Sequence, residues 1–205
     1  NPEATEENIL NRDFYAKAPN EKWTTDVTEF KWYEGPVVHK LYLSAILDLY
    51  DLSPVAWVVS RRNDNKLVLD TFAKAIRSNP DAKPIFHSDR GFQYTSKIFQ
   101  DKLRKQGMTQ SMSRVGHCID NGPAENFWSI VKSEMYYLDT FTDEASLRNA
   151  IADYMSFYST DRIQERFKGK APAEVRAEAL AADSPAQYPI PVNKRIQKYK
   201  ARYAA

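Results

Sequence analysis

The sequence predicts an α/β fold built on a mixed five-stranded sheet flanked by helices, and three observations carry that reading. Three β-favouring runs follow one another between residues 22 and 60. The hydrophobic pattern then changes from a period of two to a period near 3.6, with short apolar strands set between amphipathic helices. Finally, 205 residues that are 42% hydrophobic and 13% aromatic suffice to bury a core of this kind.

Taken in order, residues 1–20 read as a polar lead-in whose apolar content, Ile9, Leu10, Phe14 and Tyr15, suits a short helix or a clasp against the core. Residues 22–32 are rich in Thr, Val, Phe and Trp, and residues 37–49 form a second β-favouring run. The turn between them falls on Glu34-Gly35-Pro36. A third strand over 54–60 completes an antiparallel meander. Residues 66–77 then set Leu67, Leu69, Phe72, Ala73 and Ile76 at helical spacing, 84–87 form a short strand, and 97–105 an amphipathic helix ending at Gly107. Residues 108–112 make the fifth strand. After the loop SMSRVGHCIDNG a helix is expected over 123–138, with Asn121 as its cap and Pro123 in its first turn, and another over 143–158. The order βββαβαβα is that of a ribonuclease-H-like fold. Three prolines in DSPAQYPIPV, residues 183–192, predict an extended linker or a surface strap. The chain therefore divides into a lead-in over 1–20, a globular core over 21–180, and a linker with a basic tail over 181–205.

No internal repeat or low-complexity block interrupts this order. Apolar stretches such as LYLSAILDLY are broken by polar residues and fall far short of a bilayer span. The start, NPEATEEN, lacks the basic and apolar regions of a secretory signal. A single cysteine, Cys118, excludes an internal disulfide and agrees with a cytoplasmic protein. The net charge of +2 says little about partners, but its distribution says more. Residues 1–34 hold eight acids against four basic residues, while the tail NKRIQKYKARYAA has five basic residues and no acid, a composition suited to phosphates.

Three acids stand out in this frame: Asp26 in KWTTDVTEF, Asp89 in IFHSDRGFQY and Glu125 in DNGPAENFW, with 35 positions between the last two. Asp26 shares one face of the first strand with Thr24, Thr28 and Phe30. Asp89 follows a short apolar strand, where an open α/β sheet presents ligands. Glu125 stands in the first turn of a helix, where the dipole favours a carboxylate. One acid per element is the layout of a phosphoryl-transfer site. Three carboxylates in one crevice repel each other unless a hard divalent cation neutralises them, so Mg²⁺ or Mn²⁺ is the expected ligand.

Along the helix after the loop, Glu125, Ser129, Lys132 and Tyr136 fall on one face, while Phe127, Ile130, Val131 and Leu138 point to a core. Glu134 sits in the apolar stripe, which implies a buried ion pair. Lys132 and Ser129 beside the acids, Arg114 in the loop and Asn121 at the helix entrance are the candidate DNA contacts. Three histidines and one cysteine without finger-like spacing argue against zinc. His87 reads as a packed strand-end residue and His117 as a loop contact.

In this order, WTTDVTEF, LYLSAILDLY, HSDRGFQYTS, SMSRVGHCIDNGPAENFWSIVKSE and YSTDRIQERFKGKAPAEV closely resemble the DDE transposases of the IS3 family of bacterial insertion sequences. Their catalytic core is similar to that of retroviral integrases. The resemblance implies a polynucleotidyl transferase of the bacterial cytoplasm and nucleoid that cleaves DNA at transposon ends and joins the freed 3′ hydroxyl to target DNA. It further implies Asp26, Asp89 and Glu125 as the triad for two magnesium or manganese ions, Lys132 at the transposon end, and a homodimer or higher oligomer on DNA. Such transposases carry helix-turn-helix regions ahead of the core, and this chain begins at the lead-in to the core, so it reads as a fragment or truncated product. Ser159 stands where the family usually has Asn. The competing readings are a nuclease of the same fold that only hydrolyses, and a non-catalytic DNA-binding or assembly fragment. The long spacing between Asp89 and Glu125 and the basic helix face favour strand transfer.

Overall fold

The computed structural model describes residues 6–114, 118–190 and 198. Its elements run β1 (Lys22–Glu34), β2 (Val37–Asp48), β3 (Pro54–Ser60), α1 (Asn65–Ser78), β4 (Ile85–Ser88), α2 (Lys97–Lys105), β5 (Thr109–Met112), α3 (Gly122–Glu134), α4 (Glu144–Thr160) and α5 (Pro172–Ala181), with short 3₁₀ turns between some of them. The five strands form the predicted mixed sheet in the order β3-β2-β1-β4-β5. The meander is antiparallel, and β4 and β5 join it parallel to β1 and to each other. Gly35, at φ 57°, turns β1 into β2 in a conformation that L side chains rarely adopt.

Alternation along β1 divides the core. Phe30 packs with Leu41, Leu43, Ala45 and Leu47 of β2 against Phe127, Trp128 and Val131 of α3 and Leu147, Ile151 and Met155 of α4. Trp23 faces the other way, with Phe72 and Ala75 of α1, Phe86 of β4, and Phe99 and Leu103 of α2. Helices therefore cover both faces, the arrangement in which a sheet with parallel strands is stable. A third cluster joins Leu10 and Ala16 of the lead-in to Leu49, Tyr50, Phe167, Val175 and Ala179 of α5, and Tyr188.

Of the two forms expected for the lead-in, it takes the clasp: it lies beside β5, where the Leu10 amide donates to Ser111 Oγ at 3.0 Å and the Met112 amide to the Glu7 carbonyl at 3.2 Å. Other sequence expectations need correction. The helix expected over 123–138 ends at Glu134, and Tyr136–Leu138 form a 3₁₀ turn. Tertiary bonds outweigh helical propensity there. Tyr136 packs edge-on against Phe30, and its hydroxyl bonds both backbone groups of Lys31. Leu138, expected in the core, is consequently 75% exposed. Glu134 does form an ion pair, with Arg162 at 2.6 Å, but it is not buried.

Sequence pattern gave no helix over α5. Its entry is marked by Pro172 in the first turn and by Glu174, whose carboxylate accepts from the Ala171 amide at 2.8 Å. Residues 183–190 form a strap without regular structure, held where the Tyr50 hydroxyl donates to the Ala186 carbonyl at 2.7 Å. His117, and the basic tail apart from Lys198, lie outside the described residues. Among the described residues no helix is long and apolar enough to cross a membrane.

Candidate active site

The sheet register aligns two of the acids. β1 and β4 pair in parallel with Thr24 opposite His87, and two residues further along each chain stand Asp26 and Asp89. Even-numbered residues of β1 face α3, so the half-buried Asp26 carboxylate meets that helix: Trp128 Nε1 donates to its Oδ2 at 3.1 Å, and the Val27 amide to its Oδ1 at 2.8 Å. Burial pushes Asp26 up to about 6, and the charges of Asp89 and Glu125 push in the same direction. Asp89 and Glu125 thus both lie within electrostatic reach of Asp26.

Asp89 lies exposed just past β4, its Oδ1 accepting from the Gly91 amide at 2.9 Å. A Cβ at position 91 would stand 3.0 Å from that oxygen, so a side chain there would press on the Asp89 carboxylate. Glu125 is exposed in the first turn of α3.

Among the described residues no group of three His, Cys, Asp or Glu side chains is arranged to enclose a metal ion. The chemistry of the donor set nevertheless fits a hard divalent cation. It consists of anionic oxygens, two of its three carboxylates are open to solvent, and the leading influences on Asp26 include two like charges and no basic side chain.

The expected DNA contacts have different surroundings. Ser129 is exposed on α3, one turn beyond Glu125, with its hydroxyl donating to the Glu125 carbonyl at 3.0 Å. Lys132 is half-buried and holds its ammonium 5.8 Å from the centre of the Phe30 ring. Asn121 is buried and stands at the expected N-cap position of α3, but its side chain makes no capping bond to the helix. Its Oδ1 instead accepts from the Thr24 hydroxyl, and its Nδ2 donates to the Thr25 carbonyl at 3.1 Å. Arg114 spends its backbone N–H, Nε and Nη2 on Asp120. Asn121 and Arg114 are therefore committed to bonds inside the protein. His87 is a packed strand-end residue as expected, fully buried between the hydroxyls of Ser111 and Ser113. Ser159 donates back to the Met155 carbonyl within α4.

Sequence reasoning missed Trp128, because an indole inside an apolar helical stripe reads as core. It also missed Asp120, whose neighbours Arg12 and Asn8 are more than a hundred positions away.

Comparison with known proteins adds independent findings. The family described as "Integrase core domain" matches residues 16–118, and a second integrase core family matches 125–180. The chain is 41% identical over 173 residues to the putative transposase InsK of insertion sequence element IS150 from Escherichia coli K12, covering 84% of this chain and 60% of that one. It is also 41% identical over 174 residues to an uncharacterized transposase-like protein of Haemophilus influenzae, covering 85% and 79%. To transposase InsF of IS3A from Escherichia coli K12 it is 32% identical over 177 residues, covering 85% and 60%. The chain thus spans about three fifths of the two Escherichia coli relatives.

Among solved structures, a chain of the simian T-cell lymphotropic virus intasome, in complex with PP2A regulatory subunit B56 gamma, aligns with a TM-score of 0.69 at 18% identity, covering 94% of this chain and 66% of that one. The HTLV-2 integrase catalytic core in complex with magnesium aligns with a TM-score of 0.59 at 21% identity, covering 78% and 97%. At such identities the likeness establishes the ribonuclease-H-like fold.

Proposed function

The chain belongs to the integrase core family, among the transposases of IS3-family insertion sequences, and we propose that it is the metal-dependent catalytic core of such a transposase. It cleaves DNA at the ends of a mobile element and joins the freed 3′ hydroxyl to a second DNA. The observation that carries this reading is the placement of the acids: Asp26 and Asp89 each stand two residues past the paired Thr24 and His87 of adjacent parallel strands, and Trp128, on the helix whose first turn holds Glu125, donates to Asp26 Oδ2 at 3.1 Å. Magnesium or manganese, as two ions, would supply activation of a water or 3′ hydroxyl and stabilisation of the leaving oxygen.

The chain's own residues do the rest. Asp26, Asp89 and Glu125 would hold the charge-neutralising ions. Trp128 orients the Asp26 carboxylate from behind. Ser129 and Lys132, further along α3, meet the phosphates of the DNA end, which positions the scissile bond without reading bases. The magnesium in the HTLV-2 core, that core's dimeric form and the viral intasome support a metal-loaded assembly of two or more chains on DNA.

Labelled transposon-end duplex incubated with the chain and Mg²⁺ or Mn²⁺ tests this. Strand-joined products that disappear in Asp89→Asn are expected. Hydrolysis without joining would favour the nuclease, and metal-independent DNA binding without either product would favour an assembly fragment.

A further inference from the structure

Between the loop and α3 lies a carboxylate that the proposed chemistry does not use. Asp120 has no exposed side-chain surface, and both its oxygens are engaged. Oδ1 accepts from Arg12 Nε at 2.6 Å and Arg114 Nη2 at 2.9 Å. Oδ2 accepts from Asn8 Nδ2 at 3.0 Å, the Arg114 amide at 3.1 Å and Arg114 Nε at 2.8 Å. Arg114 foremost, with Arg12, holds this carboxyl well below the usual range.

Bonds run from this point to the backbone around each acid. The next residue, Asn121, is tied to Thr24 and Thr25, which immediately precede Asp26. Ser113, beside Arg114, donates its amide to the Ser88 carbonyl at 2.9 Å and accepts from Arg90 Nε at 2.8 Å, and these two residues flank Asp89. Four residues after Asn121, in the first turn of α3, stands Glu125. A shift at Asp120 would therefore reach Asp26 and Asp89 through short, hydrogen-bonded connections, and Glu125 along the chain into α3.

The lead-in supplies two of the groups that hold Asp120. Asn11 and Arg12 both adopt left-handed backbone, at φ 43° and 64°, a conformation that non-glycine residues keep only where their surroundings fix it. The Arg12 bond to Asp120 is one such restraint, and the bonds from Ser111 and Met112 to Leu10 and Glu7 are others.

We propose that Asp120 is a positioning residue that keeps Asp26, Asp89 and Glu125 in register, and that the lead-in acts on the active site through it by way of Arg12. The proposal rests on the metal-dependent reading of that site. Residues that orient metal ligands without touching the metal typically change affinity by about 10- to 100-fold when replaced.

The test is Mn²⁺ binding by calorimetry, together with amide hydrogen exchange in the first turn of α3, on the full 205-residue chain and three variants. Arg12→Gln is the main probe, because its side chain is 43% exposed and Asp120 keeps its bonds to Arg114 and Asn8. Asp120→Asn removes the node itself, and Arg12→Lys restores a cation. The dissociation constant for Mn²⁺ should rise about tenfold in Arg12→Gln and in any folded Asp120→Asn, with Arg12→Lys intermediate. Exchange in the first turn of α3 should quicken in Arg12→Gln. Parent-like Mn²⁺ affinity and parent-like exchange in Arg12→Gln would overturn the proposal. If the parent binds no Mn²⁺, the metal reading fails, and exchange alone then decides the positioning role: faster supports it, unchanged overturns it.

Discussion

The indole of Trp128 donates from Nε1 to Asp26 Oδ2 at 3.1 Å, tying the helix that carries Glu125 to the strand that carries Asp26. The bond fixes one carboxylate oxygen while each oxygen keeps a further lone pair. Trp128→Phe keeps an aromatic ring in the core but removes that donor. DNA cleavage should fall about tenfold, while urea unfolding gives a loss of about 1–2 kcal/mol. Parent-like cleavage in a folded variant would remove Trp128 from the site.

Asp26 itself should weaken the folded chain when it is ionised. Its carboxyl is pushed up to about 6 from an ordinary 3.8, so the folded state binds that proton more tightly than the unfolded state does. The corresponding stability is present below about pH 4 and lost as pH rises through 6. Asp26→Asn should therefore be more stable than the parent at pH 7.5 by about 1–2 kcal/mol, after allowance for the hydrogen bond that the amide cannot accept. The difference should close as pH falls from 6 to 4. Added Mn²⁺ should raise the melting temperature of the parent more than that of the variant. A variant less stable than the parent at pH 7.5 would contradict the assignment of repulsion and burial at this residue.

A second acidic pair bears on stability alone. Asp48 and Asp51 are fully buried, and Arg176 of α5 reaches both through Nη1, at 3.1 and 2.9 Å. Its Nη2 donates to Asn20 Oδ1 at 2.8 Å and to Asn79 Oδ1 at 3.2 Å, so one guanidinium ties α5 to the chain entering β1 and to the end of α1. Burial raises both carboxyls, Asp48 to about 6. Arg176→Ala leaves two buried carboxylates facing each other, and urea unfolding at pH 7.5 should show a loss of about 3–5 kcal/mol. Acidification to pH 5.5 should shrink that loss, because protonation relieves the repulsion. A loss that is small at pH 7.5, or that grows on acidification, would count against this account.

Lys132 should contribute to DNA engagement more than to folding. Its ammonium rests against the Phe30 ring at 5.8 Å, a contact worth about 0.5–1 kcal/mol at an accessible site. Lys132→Ala should lower strand joining several-fold at limiting DNA and reduce the salt dependence of binding by about one phosphate contact. An unchanged joining rate would exclude it.

The five strands were legible because β-branched and aromatic runs alternate with turn residues, and β3 and α2 begin and end where the sequence places them. The acids were legible for a related reason: Asp26 lies within the alternating run of β1, Asp89 just past the end of β4 and Glu125 in the first turn of α3, and local pattern defines each of these places. The break after Glu134 was not, because it depends on Tyr136 meeting Phe30 and Lys31, more than a hundred residues earlier. Asn121 was rightly placed at the helix entrance, but its side chain was misjudged on the same ground. Its propensity to cap a helix is local, but its bonds to Thr24 and Thr25 belong to the packed fold.

The central claim is that Asp26, Asp89 and Glu125 jointly hold divalent cations. Manganese soaked into crystals of the chain and located by anomalous scattering tests it most directly. Anomalous density coordinated by Asp26 and Asp89, with Glu125 completing the shell, and lost in Asp26→Asn crystals, is the expected result. Manganese bound elsewhere while the three carboxylates stay unliganded would contradict it.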